Sequence, residues 1–270
     1  MITTAGIITN RERDEAVACE IKAAAFFQRN GIRVIDPLNN ENGIKPDVLI
    51  TFGGDGTLLI GARYAMQYDV PLLGINLGTV GFLTEAEPEN LDDALKAILE
   101  SDYHIEKRSI LHVLHPGEEK EYYAFNDVVV TRGGYARLIR VETTVNGQSF
   151  GTFTADGIII ATPTGSTGYS LSAGGPIVEP GMSCMIITPV CAHSLQHCPC
   201  IVSDTSEISI GLASGRKHTA ELQIDGVNMG QLEEGDRIFA RGTDKKIRLI
   251  RLRDYDFFSL VHRKLTEWGS

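Results

Sequence analysis

The chain has no apolar run close to the ~20 residues that a membrane-spanning helix needs, and no basic start followed by an apolar stretch marks a secretory leader. Both absences point to a cytoplasmic protein with no membrane partner. It is also short of positive charge. With 25 Lys and Arg against 35 Asp and Glu, the formal net charge is −10. That argues against nucleic acid as a partner, because phosphate-backbone binding is driven by clustered Lys and Arg. An anionic ligand must then be held locally, by amides, a few cations or a metal. Paired cysteines are missing too: five, an odd number, do not make a disulfide framework. Three thiols and two imidazoles do crowd into Cys191-Ala192-His193-Ser194-Leu195-Gln196-His197-Cys198-Pro199-Cys200, with Cys184 nearby, and zinc is one reading of that cluster. The spacing is not a paired C-x2-C arrangement, so ordinary loop and core cysteines are expected and no metal ligand is assigned. There is no internal repeat and no low-complexity segment.

What is present is ordinary in bulk. A length of 270 residues with 43% apolar and 22% charged residues fits a globular protein of one large or two moderate domains. The first hundred residues alternate between strand and helix. Ile2 to Ile8 reads as a strand, and Asp14 to Asn30 as a helix with Val17, Ile21 and Ala24 or Ala25 on one face and Gly31 as its stop. Arg33-Val34-Ile35, Asp47 to Phe52 and Val70 to Ile75 read as further strands, and Asn90 as the cap of a helix that presents Leu91, Leu95, Ile98 and Leu99 on one face. From about Tyr103 the period changes to two. Arg140 to Val145 leads through Asn146-Gly147, a strong hairpin signal, into a return strand from Gln148 to Ala155. Ile158 to Ala161, Met185 to Ile187, Glu207 to Gly211, Glu221 to Ile224, Arg237 to Ala240 and Ile247 to Leu252 add short strands, and Phe257 to Leu265 turns helical again. The expected fold is α/β plus all-β. A doubly wound α/β domain (1–102 plus 253–270), completed by the returning C-terminal helix, is joined to a β-sandwich-like domain (103–252).

The most informative stretch is Gly53-Gly54-Asp55-Gly56-Thr57, which follows a buried β-branched run and precedes a helix opening at Leu58-Leu59-Ile60. Ligands of open α/β sheets sit at the carboxyl ends of strands, where helix N-termini offer N–H groups to anions. Glycine leaves no Cβ between those amides and phosphoryl oxygens. A carboxylate there costs Coulomb energy beside a polyphosphate unless a metal or a proton transfer uses it. A general base in phosphoryl transfer is one such use. The five residues also fit a plain strand-to-helix turn with Asp55 as N-cap. They are neither a lysine-bearing P-loop nor a spaced G-x-G-x-x-G.

The second stretch is Thr154-Ala155-Asp156-Gly157, a buried run to Ala161, and then Thr162-Pro163-Thr164-Gly165-Ser166-Thr167-Gly168-Tyr169-Ser170-Leu171-Ser172-Ala173-Gly174-Gly175-Pro176. It is far richer in hydroxyls than a connection requires. Taken with Gly53 to Thr57, the pair Asn126-Asp127, the loop Asn76 to Leu83 and His193-Ser194-Leu195, it resembles the NAD kinase family along essentially the whole chain. The resemblance implies transfer of the ATP γ-phosphoryl group to the adenosine-ribose 2′-hydroxyl of NAD, giving NADP, with a divalent cation, usually Mg2+. It implies Asp55 as proton acceptor and Gly53, Gly54, Gly56 and Thr57 as the phosphate loop. It also implies that Asp55, Gly56, Asn126, Asp127, Arg137, Asp156, Thr167, Gly168, Tyr169, Ser170, Leu171 and Ser172 contact NAD, and that the protein is a homodimer or homotetramer. Departures from the family pattern fall at Gly168, where alanine is usual, at Val227 after Asp225-Gly226, and at Cys198 and Cys200 around Pro199. The alternatives are an NAD or NADP sensor without turnover, and a lipid kinase, which shares the first motif but needs an apolar acceptor pocket.

Overall fold

In a computed structural model the chain is described over residues 2–78, 81–133, 138–192, 198–213, 219–253 and 256–268. The elements begin with β1 (Thr4–Thr9), α1 (Asp14–Arg29), β2 (Arg33–Ile35), β3 (Val48–Gly53), α2 (Asp55–Tyr68), β4 (Leu72–Asn76) and α3 (Leu91–Glu100). They continue with β5 (His104–His115), β6 (Lys120–Ala124), β7 (Asp127–Arg132), β8 (Ile139–Val145), β9 (Gln148–Ala155), β10 (Gly157–Ala161) and the single turn α4 (Tyr169–Ser172). Last come β11 (Cys184–Val190), β12 (Cys200–Ser203), β13 (Glu207–Leu212), β14 (Ala220–Ile224), β15 (Val227–Leu232), β16 (Arg237–Arg251) and α5 (Phe257–Trp268). They make two compact units: Met1–Lys107 with Ile247–Ser270, and Arg108–Lys246.

In the first unit the strands lie parallel in the order β2-β1-β3-β4, and the end of β16 adds to β4, Leu249 opposite Leu72. β3 is buried at every position, as a central parallel strand covered on both faces must be. On one face Ala16, Ala23 and Phe27 of α1 and Leu91, Leu95 and Ile98 of α3 close over Ile7, Val48, Ile50 and Ile75. On the other, α2 packs close because glycines let it. A Cβ at Gly61 would lie 2.4 Å from Thr51 Cγ2, and one at Gly74 would lie 2.5 Å from Leu58 Cδ1. The face of α1 differs from expectation. Ala16, Cys19, Ala23 and Phe27 are buried, whereas Ile21 is 64% exposed. The run Ala23-Ala24-Ala25 makes neighbouring faces nearly equal in apolarity, and the fit to the sheet decides between them. Asn90 closes a short 3-10 turn before α3 without a side-chain cap. Gly31 ends α1 at φ +73°. No helix among the described residues is long and apolar enough to cross a membrane.

In the second unit one antiparallel layer has the order β12-β11-β10-β7-β14-β15, and a second carries β9-β8-β13 and the first part of β16, with β5 pairing β16 and β6. Inward residues of both layers, among them Val128, Ile160, Met185 and Ile187 against Val141, Phe153, Ile210 and Ile238, share one core. This is sheet-on-sheet packing. Asn146 and Gly147 join β8 to β9 with φ of 52° and 76°, the positive pair that a two-residue I′ hairpin requires. The two strands expected at Arg237–Ala240 and Ile247–Leu252 are one continuous strand. The polar run between them is part of the strand, and its first residue, Arg241, still faces Glu207 of β13.

Candidate active site

The first motif sits where β3 gives way to α2. A Cβ on Gly53 would fall 2.2 Å from Thr57 Oγ1, so glycine is needed there for packing. Gly54 and Gly56 are different: a Cβ on either meets nothing within 4 Å, and neither has a positive φ. Their bareness serves no internal contact and leaves backbone open at the positive end of α2, where an anion is favoured. Asp55 is the first residue of α2, after Gly54 in the capping position. Its carboxylate does not cap its own helix. It accepts hydrogen bonds from the Phe82 N–H at 2.8 Å and the Leu83 N–H at 3.1 Å, so the plain-turn reading is replaced by a carboxylate held from a second loop. Gly81 makes that approach possible, because a Cβ there would stand 2.3 Å from Asp55 Oδ1. Leu77 N–H donates to the Gly53 carbonyl at 3.1 Å, and Arg13 Nη1 donates to the Leu77 carbonyl. Thr79 and Val80 of this loop lie outside the described residues.

In the second unit the pair Asn126-Asp127 begins β7 and is clamped from the β14–β15 hairpin. The Asp225 carboxylate accepts the N–H groups of Phe125, Asn126 and Asp127 at 2.9, 2.7 and 3.2 Å, and the Asp225 N–H donates to the Asp127 carbonyl at 3.0 Å. Burial, and then the charge of Asp225, push the Asp127 carboxyl up to about 7. Burial disfavours the charged form of a carboxyl, and a second carboxylate nearby adds to the effect.

The hydroxyl-rich turn docks on the same pair. Thr162 N–H donates to the Asn126 carbonyl at 2.9 Å, and Thr162 Oγ1 donates to the Phe125 carbonyl at 2.7 Å. A Cβ at Gly165 would lie 2.1 Å from the Asn126 carbonyl oxygen. Ser166 Oγ donates to the Pro163 carbonyl at 2.6 Å and accepts from the Val178 N–H at 3.1 Å. Ser170 is buried, its hydroxyl paired with Thr188 Oγ1 at 2.8 Å, which makes it a strut of the turn. Thr167 Oγ1 donates to the Thr164 carbonyl at 3.2 Å. Tyr169 and Ser172 are exposed and Leu171 is partly so. The Tyr169 phenol is raised by burial, and then by the negative charge of Cys191, Asp156 and Asp127. A Cβ on Gly168 would meet the Gly165 carbonyl oxygen at 3.3 Å and lie 4.0 Å from Asp127 Oδ2, so the small residue at this position rests against the pair. Asp156 accepts from Arg132 Nε at 2.5 Å, which occupies one of its oxygens.

In the second unit Asn126 and Asp127 lie at one end of the β7–β10 pair, where Asp127 faces Ala161, and Asp156 lies at the other, beside Arg132; in the first unit Gly53 to Thr57 lie at the end of β3. Arg137 lies outside the described residues, as do His193, Ser194, Leu195 and His197. Among the described residues no group of three or more His, Cys, Asp or Glu could hold a metal ion. Sequence reading missed the Phe82 and Leu83 amides, Arg132 and Asp225. The glycine punctuation of residues 76–83 was a signal for the first, and the Asp225-Gly226 turn dipeptide for the last.

Two family models match the chain, that of the ATP-NAD kinase N-terminal domain over residues 9–103 and that of the ATP-NAD kinase C-terminal domain over residues 125–252. The NAD kinase of Geotalea daltonii is 43% identical over 226 residues, covering 83% of this chain and 79% of the relative. That of Heliobacterium modesticaldum is 35% identical over 280 residues, covering 98% and 99%. Among solved structures, yeast NADH kinase complexed with NADH superposes with a TM-score of 0.88 at 26% identity, covering 98% of this chain and 88% of the other. The NAD kinase from Archaeoglobus fulgidus in complex with ATP gives 0.78 at 26% identity, covering 98% and 99%. With both domain models matched in order over most of its length, on the loops just described, this chain belongs to the ATP-NAD kinase family.

Proposed function

We propose that the chain transfers the γ-phosphoryl group of ATP to the adenosine-ribose 2′-hydroxyl of NAD, giving NADP, with Asp55 as the general base. The observation that carries this reading is the Asp55 carboxylate, fixed by two amides between glycines that leave the backbone bare. A ribose hydroxyl is a poor nucleophile at neutral pH, and a positioned carboxylate removes its proton as the bond to phosphorus forms. Each Asp55 oxygen keeps a further lone pair after its amide bond, which is what accepting that proton requires. Gly53, Gly54, Gly56 and Thr57 hold the phosphates of the donor, and the first unit is the donor-binding domain. In the second unit Asn126, Asp127, Asp156 and Tyr169, with Arg137, Thr167, Gly168, Ser170, Leu171 and Ser172, form the NAD site. The NADH and ATP with which the two solved neighbours are complexed support this pairing of substrates. Magnesium enters as part of the ATP substrate. Mg2+ keeps most of its water and needs only one or two carboxylates besides phosphate oxygens. Most of the acceleration comes from positioning and charge neutralisation. We also read the protein as a cytoplasmic homodimer or homotetramer. The edge strands β12 and β15, with Ile201 and Val227 exposed, support that reading.

The test is NADP formation from NAD and ATP with Mg2+, read by an NADP-specific dehydrogenase, for the wild type and Asp55→Asn. We expect turnover in the wild type and a drop of about a hundred- to ten-thousandfold in the variant, with NAD binding retained. Binding of NAD by a folded wild type that makes no NADP would overturn the kinase reading in favour of a sensor.

A further inference from the structure

The two amides that hold Asp55 belong to a loop that is itself tied down from far along the chain. Arg251, the last residue of β16, is 1% exposed. Its Nη1 donates to the Leu83 carbonyl at 3.2 Å and to Glu85 Oε2 at 3.0 Å, and its Nε donates to Glu106 Oε2 at 2.7 Å. The other Glu85 oxygen accepts the Leu252 N–H at 2.9 Å. Leu83 is thus held at both ends, its N–H on Asp55 and its carbonyl on Arg251. On the far side of the loop Gly81 touches Asp55 and admits no side chain. The planar guanidinium suits this geometry, since it meets a carbonyl and two carboxylates at fixed angles that an ammonium does not reproduce.

We propose that Arg251 is a positioning residue for phosphoryl transfer: by fixing Leu83 and Glu85 it holds the loop whose amides aim the Asp55 carboxylate. Arg251 is bonded to Leu83 and Glu85 of the loop and to Glu106, and in this role acts on Asp55 through the loop. The inference rests on the reading of Asp55 as base. A displacement of the carboxylate by about 1 Å is enough to cost on the order of a hundredfold in rate, whereas substrate binding by other residues is left alone.

The experiment is a double-mutant cycle on the full chain with Arg251→Lys and Asp55→Asn, measuring kcat, the KM for NAD and the KM for ATP, with residual rates read in single-turnover assays. Arg251→Lys keeps the buried positive charge and removes the fork. We expect its kcat to fall about ten- to a hundredfold with both KM values within about threefold of wild type. In the Asp55→Asn background the same substitution should cost less than about threefold, because the group it aims is gone. Glu85→Gln, which keeps volume and an acceptor for Leu252, should give a smaller kcat loss of the same kind, and it carries the cycle if Arg251→Lys does not fold. Wild-type kcat in the folded variant, or an undiminished loss in the Asp55→Asn background, overturns the positioning role alone. Wild-type turnover in Asp55→Asn itself overturns the base reading, and the positioning role with it.

Discussion

At the scale of single residues, Asp127 shows how burial retunes a carboxyl. Asp225 collects three backbone donors, and Asp127, buried beside it, is pushed up to about 7. An unfolded aspartate loses its proton near about 3.9. Between those values the folded chain holds a proton that the unfolded chain has released, so stability falls as pH rises through the window. The contribution is complete below it and lost above about 7. Asp127→Asn has no proton to lose. Urea midpoints taken from about pH 5 to pH 8 should therefore decline for the wild type and stay flatter for the variant. Equal slopes in the two proteins would assign the decline to another group. The same proton makes Asp127 a hydrogen-bond donor below neutrality, where a carboxylate could only accept.

At the scale of elements, glycine governs how closely loops approach one another. Gly165 presses the hydroxyl-rich turn against the Asn126 carbonyl, with 2.1 Å available where a methyl group would stand. Gly165→Ala must push backbone against backbone, and we expect a stability loss of about 1–3 kcal/mol and a KM for NAD raised at least several-fold. Thermal melts and initial rates check both, and an unchanged KM in a destabilised protein would separate the turn from binding. Much at this scale was legible in the sequence. Asn146-Gly147 dictates its hairpin through positive φ, and the apolar run before Gly53 dictates a strand buried on both faces. What could not be read was what depends on partners distant in sequence. Nothing local to α1 chooses Ala16 and Phe27 over Ile21, because several of its faces are apolar and the sheet selects one. Arg251 reads as one more basic residue at the end of an apolar strand until Glu85 and Glu106 are seen beside it. Asp225 likewise reads as a turn residue until the amides of Phe125 to Asp127 are seen around it.

At the scale of the whole molecule, the first unit is built from two stretches of chain. Ile250 lies in its core, Leu249 pairs with Leu72, and Arg251 neutralises Glu85 and Glu106. Deleting Ile247–Ser270 removes all three and leaves the β4 edge bare, with Glu85 robbed of its cation. We expect the truncated chain to lose cooperative unfolding of the first unit while Arg108–Lys246 retains its β-sheet signal, as circular dichroism and amide exchange would show. Native-like protection of β3 and β4 in the truncated chain would show that the returning segment is dispensable. The discontinuity also orders events on the ribosome. Arg108–Lys246 is synthesised as one uninterrupted stretch, while the parallel sheet that precedes it waits, unfinished, for a strand made only afterwards. A nascent chain can therefore complete Arg108–Lys246 first, whereas the loop whose amides hold Asp55 acquires its Arg251 anchor only after that unit has been made, so the carboxylate is steadied later than every strand of the antiparallel layers.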